Sequence, residues 1–144
     1  MKRVIASLVA VTFTAGAAAH HSYAMFDGTR VQSVTGTIAK LEWANPHVFV
    51  WVYVPSAQSA NGYDLYAFEN GSTNVLLRRG WTKDALPPGQ EVTLDYWPLR
   101  DGRKGGHLKT VKLSSGRVLQ GAGGPRGVDG EAPSSVAPAP RAAP

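Results

Sequence analysis

The chain has four histidines and no cysteine, so a transition metal bound here would be met chiefly by imidazole nitrogen. Two of the four, His20 and His21, are adjacent and directly follow a run of small residues, Ala15-Gly16-Ala17-Ala18-Ala19. Ala-x-Ala is the pattern that signal peptidases cut, and both Ala15-Gly16-Ala17 and Ala17-Ala18-Ala19 fit it. A cut after Ala19 makes His20 the first residue. Its α-amine and imidazole can then grip one metal together, and a further imidazole would complete a three-nitrogen plane, the histidine brace. The reference pKa is near 8 for the amine and about 6.5 for the imidazole, so both can give up their protons to a metal at neutral pH. A cut after Ala17 instead makes His20 the third residue, and Ala-Ala-His chelates through the amine, two deprotonated amides and the imidazole. Both arrangements suit Cu(II), which favours tetragonal nitrogen ligation and heads the divalent affinity order. Copper is therefore the expected ion for either cut, with His21 as an additional ligand.

His47 is the leading candidate for the further nitrogen. It follows Pro46 at the start of an apolar run, which places it at an element's end. Glu69 closes another alternating run and would serve as a carboxylate ligand or as a partner that orients an imidazole. His107 is the weaker candidate. The plainer expectation is that His47 bonds a backbone carbonyl and Glu69 pairs with Arg78 or Arg79. Spacing does not say which of these side chains meet.

Other chemistries lack their residues. Asp84 and Asp95 stand apart, no serine sits in a nucleophile elbow, and Gly102, Gly105 and Gly106 occupy a basic turn without the strand-to-helix setting of a phosphate loop. The chain is not expected to be an enzyme. The alternative to a metal site is a non-metal ligand- or protein-binding module that uses a barrel face or the basic turn at residues 100–104.

The wider chain supplies the setting. Residues 1–19 read as a secretory signal, with Lys2 and Arg3 ahead of an apolar run at 4–16 and small residues before the cut. That run falls short of the roughly 20 residues a membrane span needs. The expected location is periplasmic or secreted, not membrane-spanning. The expected partner is a metal ion or an unidentified envelope component, and export argues against nucleic acid despite a formal charge of +5. The oligomeric state is not legible. Without cysteine there is neither a lipid anchor nor a disulfide, so the core alone must stabilise the fold. Residues 121–144 are rich in Gly, Pro and Ala and read as a disordered tail. The domain is expected at residues 20–120.

Within it, strands are predicted at 31–43, with a bend or bulge at Gly36, and at 48–54, where unbroken apolarity suggests burial on both faces. Asn45 and Pro46 break the chain between them, with Asn45 serving its own turn. A third strand falls at 63–69. A helix follows at 73–79, capped by Ser72 and stopped at Gly80, with Trp81 packing back on its last turn. Strands at 91–97 and 107–113 complete the set. The fold class is mainly β. The order β-β-β-α-β-β with one short helix is that of a five-stranded OB-like barrel, another small barrel or a sandwich being the alternative. Most of Trp43, Trp51, Trp81, Trp97, Tyr53, Tyr63, Tyr66 and Tyr96 are expected in the core.

Several motifs occur in a fixed order: His20-His21-Ser22, Trp43-Ala44-Asn45-Pro46-His47, Glu69 ahead of the helix, and Leu77-Arg78-Arg79-Gly80-Trp81. In these the chain resembles a bacterial family of small exported proteins of unknown function, over essentially all of residues 20–120. The resemblance implies no activity.

Overall fold

A computed structural model describes residues 23–125. The leader at 1–19, His20, His21 and the greater part of the tail lie outside the described residues.

Strand β1 (Gln32–Glu42) pairs antiparallel with β2 (Phe49–Pro55) along one edge and with β4 (Glu91–Pro98) along the other. β2 continues antiparallel to β3 (Tyr63–Glu69), and β4 to β5 (Gly105–Leu113). A short parallel pairing of β3 with β5 closes the ring, leaving helix α1 (Thr73–Arg78) between β3 and β4. This is the closed five-stranded barrel that the element order predicts. A sixth strand, β6 (Val118–Gln120), is added as a hairpin partner of β5.

Closure imposes alternation, because each strand has one face inside the ring and one outside. On β2, Val50 and Val52 are buried while Tyr53 is exposed and Trp51 partly so. The expectation of burial on both faces is corrected accordingly. The outward Trp51 donates from Nε1 to a Glu42 carboxylate oxygen at 3.2 Å and lies under the Lys40 ammonium. Its large apolar area is thus covered by neighbours on the barrel's outside.

β1 does carry a bulge, but at Ala39 and not at Gly36: the register with β2 slips between Ile38 and Lys40. The extra residue reverses the parity, so Val34 and Ile38 turn inward before it and Leu41 after it. Gly36 answers a different need. A Cβ there would run into the Tyr53 carbonyl and a Val52 methyl, so glycine lets β2 cross close to β1.

The core joins Ile38, Val50, Val52, Phe68, Leu94, Leu108 and Val111 from the strands to Leu76, Trp81 and Leu86 from α1 and the segment after it. α1 stops as predicted, with Gly80 at φ 81° and the Trp81 amide donating to the Leu76 carbonyl at 3.1 Å. Its start differs. Ser72 makes no capping hydrogen bond. Asn45 caps from a distance, its Oδ1 accepting from the Thr73 amide at 3.1 Å and the Thr73 hydroxyl at 3.0 Å. The Asn-Pro turn is thereby tied to the helix, and Asn45 serves more than its own turn. Asn45→Ala is expected to cost about 1 kcal/mol, the usual value of a lost cap, read as a lower urea midpoint at unchanged slope.

The packed chain also runs further than composition suggests. Gly121 donates to the Lys109 carbonyl at 2.7 Å, Arg79 donates to the Gly121 carbonyl, and Gly121 and Pro125 are buried. Small residues at 121–125 fit against the barrel where bulkier ones would not.

Candidate functional site

The β2–β3 ladder pairs Phe49 with Glu69 and continues past both strand ends. Beyond it, the Asn70 amide donates to the Val48 carbonyl at 2.8 Å and the Val48 amide to the Gly71 carbonyl at 3.0 Å. This extension brings His47 alongside Glu69, with Nδ1 3.1 Å from Oε1 and each side chain about one-quarter exposed (25% and 22%). The parallel closure pairs Glu69 with His107. Three neighbouring strand ends thus carry His47, Glu69 and His107.

The three differ in setting. His107 is 2% exposed, and the rings of Tyr23 and Phe26 meet it edge-on at 5.0 and 5.3 Å. Burial, and secondarily the nearness of His47, lowers its pKa from 6.5 to about 4, against a smaller opposing effect of the Leu108 backbone. At neutral pH it is a neutral imidazole. His47 is paired instead with a carboxylate, which can only accept, so Nδ1 is the ring nitrogen turned to Glu69.

The segment leading into the barrel is stitched to the end of β4. A 3-10 turn spans Tyr23–Met25, and Phe26 bridges to Leu99. The Asp27 amide donates to the Pro98 carbonyl at 2.8 Å, and Arg100 donates to the Met25 carbonyl from its amide (2.9 Å) and to the Ala24 carbonyl from Nε (3.1 Å). These bonds hold Tyr23 at the same end of the barrel as His47. A cavity of about 550 Å³ is lined by both, together with Phe26, Glu69, Asn70 and His107.

Of the residues singled out from the sequence, His47 and Glu69 therefore meet, and His107 shares their cavity. Glu69 faces His47 and not Arg78 or Arg79, since Arg79 is engaged with the Gly121 carbonyl. His20 and His21 lie outside the described residues. His20 is three residues from Tyr23, which chain geometry limits to roughly 11 Å. Among the described residues, no three His, Asp or Glu side chains are grouped so as to hold a metal by themselves.

Sequence reasoning missed Asn70. It is fully buried, and its Oδ1 accepts from the Gly71 amide at 2.9 Å and the Ala122 amide at 2.8 Å. The available signal was Asn70-Gly71 at a strand end, which reads as a surface turn. Only the return of the chain at Ala122, fifty-two positions later, buries it.

Strand connectivity and cavity together define a small OB-like β-barrel whose open end gathers two histidines, a glutamate and a buried asparagine. The chain belongs to a family of unknown function, DUF6152, which matches residues 8–109. No curated protein and no solved structure matches it.

Proposed function

We propose that this is an exported copper-binding domain, taking Cu(II) on the amine and imidazole of a processed N-terminal His20 and on Nε2 of His47. Glu69 acts as the positioning partner of His47, and His21 is an auxiliary ligand. The role would be sequestration or delivery of the ion.

The observation that carries this reading is the His47–Glu69 pair at the cavity that Tyr23 also lines. A carboxylate accepting the Nδ1 proton fixes tautomer and ring orientation and raises the basicity of the other nitrogen, as around metal-ligating histidines generally. Export itself rests on the leader pattern. No helix among the described residues is long and apolar enough to cross a membrane.

The test begins with the full chain expressed with its leader. The mature protein is purified, its first residue fixed by intact mass, bound metal stripped, and Cu(II) titrated by calorimetry and EPR. One tight site is expected, with His20→Ala and His47→Ala each weakening it at least about tenfold and altering the nitrogen hyperfine pattern. Glu69→Gln should cost about 10–100-fold, the range for partners of metal-bound histidine. Affinity and spectrum unchanged in His47→Ala would reduce the site to a plain N-terminal chelate. No tight site at all would end the proposal.

A further inference from the structure

Tyr53 and Tyr63 are two aromatic residues that stay outside the core. Tyr53 on β2 is 40% exposed and Tyr63 on β3 is 43% exposed, and Leu65 beside them reaches 46%. The strand register makes these three positions continuous on the barrel's outer face. Tyr53 sits between Thr37 of β1 and Leu65 of β3, and Tyr63 is the next residue of β3 with the same parity, diagonal to Tyr53. The two rings stand 4.7 Å apart at 67°, edge to face, so together they form a corner. Neither phenol hydroxyl hydrogen-bonds to another described residue. Single exposed apolar side chains are ordinary on a protein surface, whereas contiguous ones mark an interaction surface.

The chemistry of the hairpin restricts what fits there. From Trp51 to Tyr63 no residue carries a charge, and the loop at 56–62 offers Ser56, Gln58, Ser59 and Asn61. The flanking charges are paired with one another, Lys40 with Glu42 at 2.8 Å and Lys104 with Asp64 at 2.5 Å. A charged partner would find no counter-charge. A protein surface would find too little area, since large side chains at these exposures leave roughly 250 Å², against about 800 Å² per partner in a stable complex. A neutral molecule with flat C–H faces and many hydroxyls meets both conditions. Hydrogens on carbons bonded to oxygen are partly positive, and the negative face of an aromatic ring attracts them. Phenol, serine and carboxamide groups both give and accept hydrogen bonds, as sugar hydroxyls require.

We propose that the outer face of the β2–β3 hairpin binds a neutral β-linked glycan chain. One sugar ring stacks on Tyr53 with its edge against Tyr63, and a neighbouring ring rests on Leu65. The face lies toward the strand ends where Pro55 pairs with Tyr63, away from the ends that carry Phe49 and Glu69. The inference therefore does not rest on the copper reading and is tested without metal.

The probe is chitotetraose, a neutral β-linked tetramer of N-acetylglucosamine, titrated into the metal-stripped mature chain by calorimetry and saturation-transfer NMR. Saturable binding is expected, with transfer strongest to the sugar ring protons. Tyr53→Ala and Tyr63→Ala should each weaken it about fivefold, the value of one aromatic contact, and Leu65→Ala less. Leu77→Ala removes an exposed apolar side chain of α1 and should leave binding unchanged. All four side chains are exposed, so the variants keep the fold, which thermal melts check. Raising the salt from about 0.05 to about 0.5 M should not alter the affinity, because no charge is involved. The proposal is overturned by no saturable binding, by affinity unchanged in Tyr53→Ala and Tyr63→Ala, by an equal loss in Leu77→Ala, or by binding that salt abolishes. A wild-type dimer in sedimentation that Tyr53→Ala dissociates would assign the face to a second copy and overturn it as well.

Discussion

Acidifying the metal-stripped domain from pH 7 to pH 4 is expected to remove about 3 kcal/mol of folding stability, and His107→Phe to abolish most of that loss. His107 titrates near 6.5 when unfolded and at about 4 in the native barrel. Between those values the unfolded chain binds a proton that the native protein does not, so stability falls as pH falls. Above about 6.5 both states are neutral at this residue and the contribution is complete. Below about 4 both are protonated and no more is lost. The gap, at about 1.4 kcal/mol per pH unit, gives the stated size. Urea melts at half-unit intervals measure it directly. The His107→Phe comparison separates the histidine from the carboxylates, since Glu42, held below its ordinary value of 4.5 chiefly by Lys40, also begins to lose its contribution at the acid end of the window. Asp27 is held down to about 2 chiefly by the Thr29 hydroxyl and Arg30, and Asp64 to about 2 chiefly by Lys104 and Ser59. Their contributions are present above 3.8 and fade only as pH falls toward 2. A flat profile between pH 6.5 and 4 in the wild type would mean that His107 is open to water, and with it the cavity description would fail.

Trp81→Ala should cost about 3–5 kcal/mol, against about 1 kcal/mol for Trp51→Ala. Trp81 is 1% exposed, inside the core cluster with Leu76 and Leu86, and its Nε1 donates to the Gln120 carbonyl at 2.8 Å. Truncation leaves a large cavity and also strands the Gln120 carbonyl that holds the end of β6. For a domain of this size the thermal midpoint should fall by more than about 12 °C. Trp51 stands on the outside of the barrel, where only its bond to Glu42 and the overlying Lys40 are lost. Paired thermal melts decide the matter: equal losses would contradict the inward and outward assignment of the two indoles. The consequence reaches the cavity, because Trp81 secures the chain just ahead of Ala122, which supports Asn70.

The strands and the helix were legible because their signals are local. Alternation at 63–69 and 91–97, the Thr, Val and Ile content of β1, and the Gly80–Trp81 stop each depend on residues a few positions apart. The order of these elements sufficed to predict the barrel, since few closed arrangements accommodate β-β-β-α-β-β. The site was half legible. His47 and Glu69 stood out as chemically capable residues at element ends, while His107 ranked below them and Asn70 went unnoticed.

What local signals could not supply is which ends meet. The bulge at Ala39 depends on how β1 bends around the ring, a property of closure that Gly36 only imitates in sequence. Asn45 caps a helix 28 positions away, and Asn70 is buried by Ala122. The β3–β5 seam places His107 beside Glu69, and the strap at Arg100 brings Tyr23 to them. By itself the sequence determined the elements, their order and the stock of nitrogen and carboxylate side chains. Their meeting in one cavity was decided by the tertiary structure, because hydrogen-bond ladders and buried contacts between distant segments have no signature until the chain closes on itself.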